Sequence, residues 1–137
     1  MSQMEQTLVI IKPDGVKRGL VGEIIKRYEA KQLHLLKMHM LMPTREMLEK
    51  HYAEHVGKPF FENLIAFMRS GEVVVMVLEG PDAISIVRKI NGATKYLEAE
   101  MGTVRGDYAT DTTANLVHGS DSVKSAQREM DIWFKED

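Results

Sequence analysis

Two short unbroken runs of apolar residues, at positions 7–11 and 73–78, constrain the fold of this chain more than any other feature. The first is rich in β-branched residues and is followed by Pro13, Asp14 and Gly15, which predict a turn. The second predicts a central strand that is covered on both sides. With 137 residues, of which 44% are hydrophobic, the chain can enclose both strands in one domain, predicted to span residues 1–137.

Helical periodicity appears between and after these strands. Apolar residues recur at helical spacing in residues 20–31, 44–55, 60–68, 82–90 and from 122 onward. Thr44 and Ser122 are predicted to open their helices, and Asp82 is predicted to cap the helix that follows it. Residues 91–115 have little periodicity, and a long irregular stretch of this kind is often functional.

Two further segments are predicted to be extended. Residues 33–42 alternate, so Leu36, Met38, Met40 and Met42 share one face, which predicts a strand with that face buried. Residues 116–118 predict a short strand. The order is then β-α-β-α-α-β-α-loop-β-α, which contains a β-α-β-β-α-β pattern. We therefore predict an α+β fold, a ferredoxin-like sandwich whose four-stranded antiparallel sheet has helices on one face, with extra helices and a long loop.

Charge and composition exclude several classes of protein. The formal net charge is −2, from 18 basic and 20 acidic residues, which argues against a protein that coats nucleic acid or an anionic membrane. The chain has no cysteine, so disulfides and thiolate metal sites are excluded. No segment approaches the ~20 apolar residues that a membrane helix needs, and residues 8–11 are too few for a signal peptide. These features predict a soluble cytoplasmic protein.

His118 is the first candidate for chemistry. It ends a short predicted strand and is followed by Gly119, Ser120, Asp121 and Ser122, where a helix begins. The free N–H groups of a helix start favour an approaching anion. An imidazole with an ordinary pKa of ~6.5 is mostly neutral at pH 7 and is then a good nucleophile. The alternative is an ordinary surface histidine.

Charged residues in distant segments could assist such a nucleophile. Glu129 is predicted to lie on the helix face of Ser122 and Ser125 rather than that of Trp133, from where it could orient the imidazole. Three cations could converge on one polyphosphate, since the arginine fork matches phosphate oxygens: Lys12, Arg88 and Arg105. The alternative is that all of these charges are solvated.

Other patterns leave further interpretations open. Tyr52 and Phe60 could stack a nucleobase or could simply belong to the core. His51 and His55 match the H-x-x-E-H zinc pattern, which would make the protein a zinc hydrolase but supplies only two of three ligands. A ferredoxin-like fold could also be a non-catalytic module that binds nucleotides or RNA. The chain has no P-loop motif, so side chains and scattered backbone groups must hold any nucleotide.

Three segments carry a resemblance to a known family. They are residues 7–15 (TLVIIKPDG), 102–107 (GTVRGD) and 115–122 (NLVHGSDS). In this order they resemble the nucleoside diphosphate kinases, and the similarity extends from about residue 7 to residue 134. The resemblance implies transfer of the γ-phosphoryl group of a nucleoside triphosphate to a nucleoside diphosphate. It implies a ping-pong mechanism with a phosphohistidine at His118.

The resemblance also implies a role for each matching residue. Glu129 would bind the ring nitrogen of His118 that is not phosphorylated, Ser120 would support Glu129, and Tyr52 would lie near His118. Phe60 would stack on the base, and the loop 92–114 would form part of the cleft. The remaining residues would meet the nucleotide directly. Lys12, Arg88, Thr94 and Arg105 would bind its phosphates, and Lys12 and Asn115 would meet the sugar 3′-hydroxyl.

Cofactor and partners follow from the same resemblance. The family requires Mg²⁺, which would be held mainly by the nucleotide phosphates. The substrates would be ATP, GTP and other nucleoside tri- and diphosphates, including deoxy forms, with no membrane or specific nucleic acid as partner. Family members are homo-oligomers, either tetramers or hexamers. Tyr96 and Met101 stand where the family usually has prolines, which predicts a looser loop.

Overall fold

The computed structural model describes residues 4–134, which form one four-stranded sheet with helices on both faces. The strands lie in the order β2-β3-β1-β4, and every neighbouring pair is antiparallel. The α+β class and the antiparallel sheet are confirmed. The outermost residues of the predicted domain, 1–3 and 135–137, lie outside the described residues. The strands are β1 (Met4–Ile11), β2 (His34–Leu41), β3 (Val73–Pro81) and β4 (Val117–Gly119).

Seven helices surround the sheet in the described part of the chain. Residues 13–15, predicted as a turn, instead begin the first helix, because proline is well suited to a first helical turn. The loop after residue 91 contains a 3₁₀ turn (Tyr96–Glu98) and a short helix. No helix within residues 4–134 is long and apolar enough to cross a bilayer. The helices are α1 (Pro13–Lys17), α2 (Val21–Ala30), α3 (Arg45–His51), α4 (Phe61–Met68), α5 (Ala83–Asn91), α6 (Val104–Tyr108) and α7 (Val123–Trp133).

The two central strands send alternate side chains into two separate cores. Val9 and Ile11 of β1 pack with residues of α2 and α5, whereas Leu8 and Ile10 pack with residues of α3, α4 and α7. The same alternation holds in β3, which explains why residues 73–78 are all apolar. The helices of the β-α-β-β-α-β pattern, α2 and α5, lie on one face as predicted, and α3, α4 and α7 cover the other.

The predicted burial of one face of β2 is wrong. Leu36, Met38, Met40 and Met42 are between 42% and 55% exposed. The strand lies at the edge of the sheet, and a shift of register between Leu35 and Lys37 interrupts its pairing with β3. The alternating pattern was correct, but no part of residues 4–134 covers the apolar face.

Two of the three helix caps predicted from the sequence are confirmed. The hydroxyl of Thr44 accepts a hydrogen bond from the Met47 N–H at 3.1 Å, and Ser122 does the same for Ser125 at 3.0 Å. The prediction for Asp82 is wrong, because this residue has a left-handed backbone and its side chain makes no cap. A carboxylate oxygen of Glu5 accepts the N–H of Ile84 instead, at 3.1 Å.

Candidate active site

A cleft of about 570 Å³ opens where β1 and β4 end beside α5 and the loop 92–114. The sequence predicted a phosphate-binding site from dispersed residues, and most of them line this cleft. Glu129 and Ser120 lie behind it, bonded to His118 or to each other. Phe60 is not part of the lining, and its side chain is 48% exposed beside His55. The predicted residues in the lining are Lys12, Tyr52, Arg88, Thr94, Arg105, Asn115 and His118.

His118 lies in β4 opposite Ile10, with one ring nitrogen engaged and the other free for the cleft. Its Nε2 is 3.0 Å from Oε1 of Glu129, and the same oxygen accepts the Ser120 hydroxyl at 2.6 Å. Where the Glu129 carboxylate accepts this bond, Nε2 carries the ring proton. The lone pair of the ring is then on Nδ1. This is the tautomer that a nucleophilic histidine needs.

Glu129 is held on the buried face of α7. It shares that face with Ala126 and Trp133, so its predicted separation from the face of Trp133 is wrong. Residues four apart lie one above the other on a helix, which explains the error. The hydroxyl of Ser120 also accepts the backbone N–H of Leu8 at 3.2 Å, which fixes it against β1. The carboxylate that orients His118 is therefore itself fixed from two directions.

A strained turn brings Lys12 and Asn115 together. Leu116 has a backbone φ of +78°, which is rare for a residue with a side chain and costs about 1–3 kcal/mol. Its N–H donates to Asp14 Oδ2 at 3.1 Å, and its carbonyl accepts the Lys12 N–H at 2.8 Å. Within this turn the Lys12 ammonium donates to Asn115 Oδ1 at 2.8 Å. The two residues predicted to meet the sugar therefore contact each other.

Lys12 is a buried cation with a low pKa. Burial and, to a smaller extent, the charge of Arg105 lower the pKa of its ammonium, Asp14 partly offsets both effects, and the resulting pKa is about 8. Burial also raises the pKa of the Asp14 carboxyl, whose Oδ1 has no hydrogen-bond partner among the described residues. An anion entering the cleft would stabilise the charged form of Lys12.

Arg105 joins three segments of the cleft through backbone carbonyls. Its guanidinium donates to Gly92 O and Val117 O, each at 2.7 Å, and to Asn115 O at 3.3 Å. Gly92 has a φ of +87°, and a Cβ there would overlap the Thr103 hydroxyl. A guanidinium has five N–H donors, so donors remain for a phosphate.

Sequence reasoning missed several residues of this site. The lining also includes Lys89, Glu98 and Glu100, which look like ordinary surface charges in the sequence. His51 was expected in the stripe of the helix predicted at residues 44–55, but as a functional residue it was considered only as half of a zinc pattern. Its ring lies 4.6 Å from that of His118, measured between centroids. The helical spacing of Leu48 and His51 was the available signal that His51 faces inward.

The zinc interpretation is not supported by the placement of its residues. Within residues 4–134, one cluster of potential ligands has its atoms within 4.8 Å of one another, and it comprises His51, His118 and Glu129. His55 is outside this cluster and stacks on Tyr52. The His118 and Glu129 atoms are already bonded to each other. The H-x-x-E-H match therefore has no common ligand position.

A histidine that is paired with a buried glutamate, in a cleft lined by Lys12, Arg88 and Arg105, is the site of a phosphoryl-transferring enzyme. A family model described as nucleoside diphosphate kinase matches residues 5–137. The nucleoside diphosphate kinase of Caldanaerobacter subterraneus subsp. tengcongensis is 62% identical over 133 residues, which cover 97% of this chain and 96% of that protein. The chain belongs to the nucleoside diphosphate kinase family, and its activity is phosphoryl transfer between nucleotides.

Solved structures agree with this assignment. The chain is similar to the nucleoside diphosphate kinase of Encephalitozoon cuniculi, with a TM-score of 0.93, 45% identity, and coverage of 95% of this chain and 88% of that one. It is equally similar to the enzyme of Halobacterium salinarum solved in complex with CDP, with a TM-score of 0.93, 45% identity, and coverage of 96% and 88%.

Proposed function

We propose that the enzyme works by a ping-pong mechanism in which His118 carries the phosphoryl group. The observation that supports this most is the pairing of His118 Nε2 with Glu129, which leaves the Nδ1 lone pair for the cleft. Three cations in the same lining supply the charge that a triphosphate needs: Lys12, Arg88 and Arg105. The alternative of a non-catalytic binding module requires neither feature.

The transfer needs one bond made and one bond broken in each half-reaction. His118 Nδ1 attacks the γ-phosphorus in line, an Nδ1–P bond forms, and the bond from phosphorus to the bridging oxygen breaks. The diphosphate leaves with that electron pair. The phosphorylated ring keeps its Nε2–H, and the carboxylate of Glu129 stabilises the resulting positive charge. A second diphosphate then attacks the same phosphorus, and the steps reverse.

The phosphates would be held by side chains rather than by a P-loop. Lys12 and Arg105 are fixed by the contacts described above, and Arg88 and Thr94 complete the lining. Mg²⁺ prefers oxygen ligands, whereas two of the three residues in the cluster around His118 offer ring nitrogens. The side chains of the site are therefore suited to an ion that binds mainly to the phosphate oxygens of the nucleotide. When bound there, Mg²⁺ supplies charge neutralisation on the β- and γ-phosphates.

The base and the sugar would be recognised without strong discrimination. Phe60 is positioned by an edge contact with His55 at 5.3 Å, and its exposed face could stack on any base. Lys12 and Asn115 would meet the 3′-hydroxyl. The CDP complex of the H. salinarum relative supports a nucleotide at this site. We propose a single domain and a cytoplasmic location, as predicted.

A two-step incubation tests the mechanism. The protein is first incubated with γ-³²P-ATP and Mg²⁺, freed of nucleotide, and then given GDP alone. We expect labelled protein after the first step and labelled GTP after the second, because the phosphoryl group waits on the enzyme. If label appears in GTP only when both nucleotides are present together, the transfer is direct and the proposal is wrong.

The pKa of Lys12 predicts how nucleotide binding changes with pH. This side chain is charged below pH 8 and loses its charge as the pH rises through that value. The apparent KM for the nucleotide should therefore rise roughly tenfold above pH 8, since a charge-assisted bond to phosphate is lost. Steady-state kinetics from pH 6 to 10 measure this rise in KM.

The matched comparison is Lys12→Gln with Lys124→Gln. The first should show a high KM that no longer depends on pH in this range. The second changes an exposed lysine of α7 and should leave the profile unchanged. If KM of Lys12→Gln still rises above pH 8 as it does in the parent, the group that titrates is not Lys12.

We propose that the protein is a homo-oligomer assembled through the exposed face of β2. Edge strands with a continuous apolar face are rarely left open in monomers, because they pair with other chains. Leu36, Met38, Met40 and Met42 form such a face. An assembly larger than a two-fold dimer needs a second surface, which Leu97 and Met101 of the loop could supply, at 85% and 81% exposed. Both surfaces together would permit a tetramer or hexamer.

Charges on β2 should dissociate this assembly. Met38→Glu with Met40→Glu would place two carboxylates on the apolar face, and burying them unpaired is costly. We expect the mass measured by sedimentation velocity to fall. It should fall to the mass of the monomer if β2 is the only contact between subunits. Val123→Glu, which changes an exposed apolar residue of α7, should keep the parental mass. An unchanged mass in the β2 double variant would place the interface elsewhere.

A further inference from the structure

The ring of His118 rests on the ring of His51, a residue to which the proposed mechanism gives no part. The two ring centroids are 4.6 Å apart and the planes meet at 77°, an edge-to-face arrangement. His51 is the last residue of α3 and is 4% exposed. Glu129 fixes one nitrogen of His118, and His51 closes a second side of the same ring.

The orientation of His51 is itself fixed by Trp133. The indole Nε1–H donates to His51 Nδ1 at 3.1 Å, and both side chains are buried. Because the indole nitrogen can only donate, His51 Nδ1 must be the unprotonated nitrogen of a neutral ring. The ring proton of His51 is therefore on Nε2. This contact selects one tautomer and one ring orientation for the imidazole that touches His118.

His51 also remains uncharged beside a cationic cleft. Burial lowers its pKa well below the ordinary histidine value, and His118 when protonated, Arg128 and Lys12 lower it further. A neutral neighbour does not repel the positive charge that develops on His118. Its contribution is then limited to where the His118 ring sits.

The helices that carry this pair lie outside the β-α-β-β-α-β pattern. His51 ends α3 and Trp133 ends α7, and the two helices are joined again by Arg128, whose guanidinium donates to Lys50 O at 2.9 Å. The catalytic strand β4 is therefore supported from behind by two additional helices. This gives those helices a role in addition to covering the sheet.

We propose that His51 is a positioning residue for phosphoryl transfer: held by Trp133, it sets the angle of the His118 ring so that Nδ1 faces the phosphorus. The proposal rests on the proposed function, in which His118 is the nucleophile. An in-line attack needs the reacting atoms aligned at about 3–3.5 Å, and a misplacement of about 1 Å can cost 10²-fold. Glu129 holds Nε2 of the His118 ring, and contact with His51 limits rotation of the ring about this hydrogen bond.

Three variants separate positioning from folding. His51→Asn keeps an acceptor for the Trp133 indole but removes the ring that touches His118. Trp133→Phe keeps an aromatic ring but removes the donor that selects the tautomer. His39→Asn is the matched control, because His39 makes a similar edge contact with Phe134 at 5.0 Å in a different part of the sheet. Rapid-quench measurement gives the phosphorylation rate of each, normalised to the amplitude of phosphoenzyme.

We expect His51→Asn to lower the phosphorylation rate about 10- to 100-fold with KM changed less than twofold. Trp133→Phe should lower it less, and the ¹⁵N spectrum of His51 should then report a mixture of tautomers. His39→Asn should retain the parental rate. A purely structural role would reduce the phosphoenzyme amplitude and the melting temperature but leave the normalised rate unchanged, which would overturn the proposal.

The phosphohistidine mechanism and the positioning role of His51 can be contradicted separately. If the parent enzyme forms no phosphoenzyme, the proposed function is wrong. If the parent does so and folded His51→Asn matches its normalised rate, only the positioning role is wrong. A His51→Asn variant that does not fold leaves Trp133→Phe as the deciding test, since a parental tautomer and rate there would also contradict the proposal.

Discussion

Replacing His118 with asparagine should abolish phosphoenzyme formation and lower kcat by about 10⁴-fold or more, as expected when a nucleophile is removed. Asparagine can still donate to Glu129, so the carboxylate is not left without a partner. What is lost is the Nδ1 lone pair that the pairing with Glu129 leaves free in the cleft. The measurement is incorporation of label from γ-³²P-ATP, followed by transfer to GDP.

The control for this variant is His34→Asn, in an exposed histidine at the start of β2. It should label like the parent. Nucleotide binding by His118→Asn, followed by calorimetry, should persist because the cations of the cleft are unchanged. Labelled protein in His118→Asn would show that another residue accepts the phosphoryl group.

Replacing Arg105 with lysine should affect both stability and catalysis. The buried guanidinium satisfies three backbone carbonyls, of Gly92, Asn115 and Val117, and a single ammonium cannot reach all three in the same geometry. Leaving buried carbonyls unpaired should lower the free energy of unfolding by about 2–4 kcal/mol. Because β4 carries His118, we also expect kcat/KM to fall roughly 100-fold. Thermal unfolding and steady-state kinetics measure the two effects.

Arg88→Lys is the matched comparison. Arg88 also lines the cleft, but within residues 4–134 its guanidinium is not bonded to backbone carbonyls. This variant should raise KM and leave the melting temperature unchanged. If Arg105→Lys, like Arg88→Lys, changed only KM, the proposed contribution of the Arg105 hydrogen bonds to stability would be contradicted.

The sequence predicted those parts of the molecule that depend on local pattern. The strand 73–78 was predicted as central because it has no polar face, and it pairs on both sides in the sheet. Thr44 and Ser122 were predicted to open helices because their hydroxyls can accept the free N–H groups of the first turn. The resemblance in three short segments then predicted which dispersed residues meet in the cleft.

What the sequence could not predict depends on contacts between distant segments. The alternation in β2 identifies an apolar face but cannot show whether a helix covers it, and Met38 and Met40 are exposed. Asp82 was the expected cap, whereas the carboxylate is supplied by Glu5, which is 79 residues from Ile84, the residue whose N–H it accepts. His51 matched a short metal motif, whereas its partners are Trp133 and His118, brought there by the packing of α3 and α7.

The distances along the chain that the site spans also bear on how the protein acquires activity. Leu8 is hydrogen-bonded to Ser120, 112 residues away, and Lys12 to Asn115, 103 residues away. Neither contact can form until β4 has paired with β1. Proteins dominated by such non-local contacts fold more slowly than helical bundles of similar stability. During synthesis on a ribosome, β1 therefore gains its catalytic neighbours only after residues 115–120 have emerged. Recovery of activity after dilution from denaturant should follow the slowest, last-formed contacts and lag behind the return of helical circular dichroism.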